Sequence, residues 1–182
     1  MSKMFSRRVF LRGLGVVAAA AALTACSSTN EAVNQALIEG AVGGIVAADC
    51  KIGRMTYWAA NATVPVYEIS FRIVMTNVSS KPVTLSGDNF ATTLDGTPIP
   101  PFNFSARDVG DADIWRTYDS LTIRPGEERS VALAYEISQP TYDSWYKSSR
   151  TVAVSFTCGN QRVTYTKNSR SDEITVSDIE TL

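Results

Sequence analysis

The sequence predicts an all-β protein, built as an antiparallel β-sandwich. Two patterns support this prediction: beyond Cys50 apolar side chains recur at every second position, and turn-forming residues separate the apolar runs. Composition agrees, because 45% apolar residues in a chain of 182 are enough for one sizeable core and too many for a disordered chain.

The clearest strand is predicted over 65–77, where Tyr67, Phe71 and Met75 share one parity with Ile69 and Ile73. Polar residues fill the alternate positions, as expected for a half-buried strand. The same alternation predicts strands at 130–137 and 151–158, and again after the turn at 159–160. Shorter strands are predicted at Met55–Trp58, Val83–Leu85, Phe90–Leu94, Leu121–Ile123 and Ile174–Val176.

Glycine, proline and asparagine mark the chain reversals between these strands. Asp95-Gly96 and Gly159-Asn160 favour positive φ, and Arg124-Pro125-Gly126 combines a fixed φ with a flexible residue. Seven to nine short strands at this spacing fit an antiparallel sandwich.

The first 25 residues predict an export signal. A basic start is followed by a weakly apolar stretch at 13–23. Its eleven residues would span only about 16 Å as a helix, well short of a ~30 Å hydrocarbon core. The stretch is therefore expected to be part of an export signal and not a membrane span.

Two motifs in this segment resemble known export signals. Ser6-Arg7-Arg8-Val9-Phe10-Leu11-Arg12 resembles the twin-arginine motif, with Arg12 where lysine is frequent. Leu23-Thr24-Ala25-Cys26 resembles the lipobox of bacterial lipoproteins. The resemblance implies that Cys26 receives a diacylglycerol, becomes the mature N-terminus, and anchors the chain to the cell membrane or outer membrane, with its domain outside the cytoplasm.

Removal of the signal changes the charge. The whole chain carries 17 basic and 18 acidic side chains, whereas loss of four basic residues leaves 13 basic and a net charge of −5. This balance argues against a nucleic-acid partner. We expect four segments: the signal at 1–25, a lipidated N-terminus with an Ala/Gly-rich linker or helix at 26–49, the sandwich at 50–168, and a polar tail or last short strand at 169–182.

Two structures are open for the linker. Ala32, Ala36, Gly40, Gly44 and Ala48 recur at a spacing of four, which on a helix would make a small-residue zipper for a second copy or a partner. The glycines each cost a helix about 1 kcal/mol, which favours a partly helical connector.

The domain resembles a known family at its turns. Phe71-Arg-Ile-Val-Met-Thr-Asn77, Leu94-Asp-Gly-Thr97 and Leu121-Thr-Ile-Arg-Pro-Gly-Glu127 are similar to the immunoglobulin-like (telokin-like) domain of exported bacterial lipoproteins and mycobacterial secreted immunogenic antigens. The resemblance covers roughly residues 50–166. It implies an immunoglobulin-like sandwich and carries no binding residues with it.

Two cysteines remain once Cys26 is lipidated. Cys50 and Cys158 both have inward parity, and an oxidising compartment favours a disulfide between them. The alternative is a pair of buried thiols that act as small hydrophobic residues.

Two clusters are candidate sites. Asp108, Asp111 and Asp113 collect carboxylates in one loop, where a hard cation such as Ca²⁺ could bind, although solvated acids are the commoner case. Tyr142, Trp145 and Tyr146 lie between two predicted strands. They would either contact a partner or plug the end of the sandwich.

We expect no enzyme and no cofactor. The chain has no histidine, which excludes Ser-His and Cys-His catalytic pairs and His-ligated zinc, and it contains no nucleophile elbow or phosphate-binding glycine loop. The function expected is a lipid-anchored, noncatalytic envelope protein whose loops bind an extracellular protein or small ligand. The alternative is a structural lipoprotein that assembles with itself through its N-terminal segment.

Overall fold

Apolar and polar residues alternate along the sequence, and strands form along almost the whole domain. The structure, a computed structural model, describes residues 40–57, 63–101, 103–109 and 115–182. Its strands are β1 (Ile45–Tyr57), β2 (Val66–Asn77), β3 (Val83–Leu85), β4 (Phe90–Leu94), β5 (Thr97–Ile99), β6 (Asn103–Asp108), β7 (Arg116–Thr117), β8 (Leu121–Ile123), β9 (Glu128–Glu136), β10 (Thr151–Cys158), β11 (Gln161–Asn168), β12 (Ile174–Val176) and β13 (Glu180–Thr181). A 3₁₀ turn covers Gly87–Asn89, and one short helix, α1, covers Gln139–Asp143.

The strands form two main sheets and a small third one. The first sheet has the order β1-β2-β9-β6-β7, and the second has the order β12-β11-β10-β4-β5, with β13 also paired to β11. Strands β3 and β8 pair separately. All of these pairings are antiparallel. The predicted all-β antiparallel sandwich is confirmed.

Aromatic rings fill the space between the two main sheets. The ring centroid of Phe71 on β2 lies 6.1 Å from that of Phe90 on β4 and 5.7 Å from that of Tyr165 on β11. Phe90 in turn lies 5.1 Å from Phe156 on β10. Each ring is fully or nearly fully buried, which stabilises the fold by about 2–3 kcal/mol per side chain. These contacts fix the separation of the sheets.

Several elements differ from the sequence prediction. β1 begins at Ile45, before the expected domain start at Cys50, so residues 45–49 are strand and not linker or helix. β6 and β7 were not predicted, and β6 ends at Asp108, the first residue of the predicted acidic loop. At the C-terminus, β12 has the predicted bounds, whereas β13 was not predicted. Small and apolar residues at 45–48 resemble a linker in isolation, but here they pair with the end of β2.

A tight turn leads into β1. Gly43 and Gly44 have φ values of +58° and +84°, and Val42 and Ile45 exchange two backbone hydrogen bonds of 2.9 and 3.0 Å around them. Two successive positive φ values are typical of a type I′ hairpin turn. Gly43 also packs against Cys158, the last residue of β10, since a Cβ there would lie 2.4 Å from Sγ and 2.8 Å from the carbonyl oxygen.

Substituting Gly43 with alanine should therefore destabilise the domain strongly. Gly43→Ala adds a positive-φ penalty to a clash with Cys158, and we expect the free energy of unfolding to fall by about 3 kcal/mol. Gly96→Ala is the matched control, because Gly96 has φ +80° and a Cβ added there would meet nothing within 4 Å. It should cost about 1 kcal/mol. Urea unfolding measures both, and equal losses would contradict the close contact.

Candidate functional site

The predicted aromatic cluster lies at one end of the sandwich, on and after α1. The helix starts at the N-cap Ser138, whose side chain accepts a hydrogen bond from the Thr141 amide at 3.3 Å, and proline stands in its first turn. The backbone amide of Ile137 donates to the Tyr67 carbonyl at 2.9 Å. This bond holds the segment against the start of β2.

The three predicted contact residues differ in how much of their surface is exposed. Trp145 is only 2% exposed and belongs to the core, so it plugs the end of the sandwich and offers no surface to a partner. Tyr142 is half-buried and packs on the core. Tyr146 is 61% exposed. The suggestion that Trp145 contacts a partner is therefore wrong, and of the three residues Tyr146 presents most of its surface.

Arg54 on β1 joins the two tyrosines. Its guanidinium carbon lies 4.2 Å from the ring centroid of Tyr142 and 4.6 Å from that of Tyr146. Its Nη1 donates a 2.5 Å hydrogen bond to the Tyr142 carbonyl. On the other side, the Tyr142 ring lies 5.0 Å from that of Tyr67. We call these four residues the Arg54 stack. Cation–π contacts and one backbone bond hold it in place.

Arg54 was not among the site residues predicted from the sequence. It pairs in register with the buried Ile69 and therefore has inward parity, where an arginine is unexpected. β1 is an edge strand, so the guanidinium reaches the end of the sandwich instead of the core. The one sign of its role in the sequence is an arginine at a strand position that faces inward.

A second group of polar residues lies on the outer face of the first sheet. Glu68, Ser70 and Arg72 alternate along β2, and Arg107 lies on β6. The guanidinium carbons of Arg72 and Arg107 lie 5.5 and 4.9 Å from the ring centroid of Trp115. Glu68 and Ser70 are buried although they point away from the core. We call these five residues the outer-face cluster.

The acidic loop is only partly described. Asp111 and Asp113 lie outside the described residues. Asp108 is exposed and forms an ion pair with Arg129, which also pairs with Glu127. Among the residues that the structure describes, no group of three potential metal ligands is found. Asp108 therefore has a basic partner within the domain.

The predicted disulfide between Cys50 and Cys158 is not present, because both residues are free thiols. Cys158 pairs with Gln161 at the start of β11, whereas Cys50 lies near Tyr165 and Lys167, farther along the same strand. Four residues of strand separate Gln161 from Tyr165, or about 13 Å. A disulfide needs Cα atoms within about 7 Å, so the shared parity of the two cysteines was misleading.

Both thiols should be slow to react in the folded protein. Burial raises the pKa of Cys50, although Lys167 lowers it in part, and burial also raises the pKa of Cys158. The Cys158 Sγ lies 3.7 Å from the Gly43 carbonyl oxygen as a weak donor.

Alkylation followed by mass spectrometry tests this arrangement. Iodoacetamide should label neither thiol appreciably in the folded protein, because the thiolate is the reactive form. In denaturant without reductant, both Cys50 and Cys158 should be labelled. Labelling that requires reductant would contradict free thiols.

Comparisons with known proteins assign no family to this chain. No protein-family model matches the chain, and no curated protein matches it. A crystal structure of the yjhA protein from Bacillus subtilis aligns at 16% identity over 62% of this chain and 73% of that one, with a TM-score of 0.38. A protein from Archaeoglobus fulgidus aligns at 12% identity over 74% and 98%, with a TM-score of 0.33. Both scores are below 0.5, so neither carries an inference.

Within the described part of the chain, none of the helices has the length and apolar character needed to cross a membrane.

Proposed function

We propose that this protein is a lipid-anchored component of a bacterial cell envelope whose sandwich domain binds an extracellular protein or ligand without catalysis. The observation that carries the binding proposal is the Arg54 stack, in which one guanidinium contacts Tyr142 and the exposed Tyr146. The anchor rests on the lipobox that ends at Cys26.

The position of the Arg54 stack suits a surface that faces away from the membrane. Cys26 precedes Gly40, the first described residue, by only 14 positions. The described chain then enters β1 through the turn at Gly43 and Gly44. β1 has 13 residues, so it extends roughly 40 Å from this turn toward the end that bears the stack. The N-terminal turn and the Arg54 stack thus lie toward opposite ends of β1.

The chemistry of the Arg54 stack suits a protein contact. Arginine and tyrosine are enriched among the residues that contribute most to binding energy. Tyr146 loses little conformational freedom on binding because the Arg54 guanidinium already contacts its ring. A rigid aromatic group with charged N–H donors beside it can bury apolar area and donate hydrogen bonds together.

The alternative, self-assembly through a small-residue helix, has less support. A Cβ on Gly44 would lie 2.7 Å from the Cβ of Ser79, so this glycine already makes a close contact within its own domain. Ala48, the last small residue of the predicted ridge, lies in β1. Ala32 and Ala36 are outside the described residues.

The anchor can be tested by detergent partition of the full-length protein. Two acyl chains give lasting membrane attachment at about 0.8 kcal/mol for each buried CH₂. We expect wild-type protein in the detergent phase and Cys26→Ser in the aqueous phase. Cys158→Ser is the matched control and should partition like the wild type. A Cys26→Ser variant that stays in the detergent phase would overturn the anchor.

The binding surface can be tested by site-specific photocrosslinking in cells. A photoreactive phenylalanine derivative at position 146 should give a discrete adduct. The same group at position 81, which is exposed near the Gly44 turn, should give none. Arg54→Gln should lower the adduct yield at position 146 at least fivefold, because Tyr142 and residue 146 lose the group between them. Arg124→Gln, exposed at the far end of the domain, should leave the yield unchanged.

Two results would contradict this surface: equal adducts at positions 81 and 146, or an adduct at position 146 that does not depend on Arg54.

A further inference from the structure

We propose that the core of the sandwich binds one ordered water molecule, held between the hydroxyl groups of Tyr135 on β9 and Thr92 on β4. The water would join the two main sheets by hydrogen bonds inside a core that is otherwise packed with apolar side chains. This site is separate from the Arg54 stack and does not depend on the function proposed for that surface.

The burial of the two hydroxyl groups is the first reason for this proposal. Tyr135 is 0% exposed and Thr92 is 4% exposed. Among the residues that the structure describes, neither hydroxyl has a hydrogen-bond partner. A buried hydroxyl without a partner has given up its bonds to solvent and gained none in return. Native proteins satisfy such groups with other protein atoms or with ordered water.

The position of the two hydroxyl groups is the second reason. β9 belongs to the first sheet and β4 to the second, so the side chains approach each other from opposite sides of the core. Burial raises the pKa of Tyr135 to about 12, and the nearby Thr92 hydroxyl lowers it in part. The two groups are therefore neighbours, although they do not meet in hydrogen-bond geometry. One water beside both can accept a hydrogen bond from one hydroxyl and donate one to the other.

The strands around the two hydroxyl groups offer no other side-chain partner at the paired positions. Thr92 pairs with Val154 on one side and with Ile99 on the other. Tyr135 pairs with Ile69 on β2. All three neighbours are apolar, and the backbone groups of these strands are engaged in the ladders between them. The missing partner must therefore come from outside the paired strands.

The shape of the core favours a ligand as small as water. Thr92 has the smallest side chain of its inward row, which crosses the second sheet through Ile99, Thr92, Val154, Tyr165 and Val176. A water beside Thr92 would extend this short side chain toward the tyrosine. Because each hydroxyl can both donate and accept, the two groups supply the minimum of two polar partners that a buried water needs.

Oxygen-17 magnetic relaxation dispersion on the mature lipoprotein in detergent tests the proposal, because it counts water molecules that stay inside a protein while it tumbles. We expect Tyr135→Phe and Thr92→Val each to hold one such water fewer than the wild type, since one hydroxyl alone offers too few bonds. Tyr118→Phe and Thr175→Val are the matched controls, at a half-buried and an exposed position. Both should keep the wild-type number.

Urea unfolding of the same variants gives a second readout, in which the sign decides. Each single substitution removes the bridge and leaves the other hydroxyl without a partner, so the unfolding equilibrium constant should rise by about threefold or more. The double variant Tyr135→Phe/Thr92→Val leaves no unpaired hydroxyl and nearly conserves the shape of both side chains. It should therefore be more stable than either single variant.

Three outcomes would overturn the proposal. If Tyr135→Phe alone stabilises the domain, the hydroxyl has no partner in the wild type. If both single variants are destabilised but hold as many internal waters as the wild type, the two hydroxyls bond directly to each other. If the controls lose a water as well, the water that is lost lies elsewhere in the domain.

Discussion

The contact of aromatic rings across the sandwich sets the geometry of everything else in the domain. Phe71 of the first sheet reaches both Phe90 and Tyr165 of the second. Because these rings are buried and close-packed, the sheets have little freedom to slide or separate. The two surfaces described above depend on this rigidity. One lies at the end of the sandwich and the other on the back of a sheet, and neither needs a mobile loop to hold its charged groups.

The two surfaces use arginine differently. Arg54 is stacked on two aromatic rings and donates a hydrogen bond to a backbone carbonyl. Its guanidinium therefore has partners within its own domain. Arg72 has a hydroxyl and a thioether as its acceptors and faces a buried acid. The first arrangement produces a stiff contact surface at the end of the sandwich, and the second holds the Arg72 guanidinium against the outer face of the first sheet.

Local alternation was enough to predict the strands whose two faces differ in polarity. The segment 151–158 alternates cleanly, and β10 has those bounds. β1 was harder to predict, because Ala47 and Ala48 have similar side chains although one faces inward and the other outward. The predicted disulfide was wrong for a related reason. Alternation shows which face of a strand a residue lies on, but not which residues of neighbouring strands lie beside it. Arg54 was missed as a site residue because its importance comes from Tyr142 and Tyr146, which are distant in the sequence.

The turn that precedes β1 has a consequence for how the chain folds. Gly43 and Cys158 are in contact although 115 positions separate them in the chain. Contacts of such long range form late and slow the folding of β proteins, because a large loop must close before they contribute. The N-terminal turn can therefore dock only after the hairpin of β10 and β11 has been synthesised. Until β10 is in place, the turn that precedes β1 lacks the contact with Cys158 that packs against it.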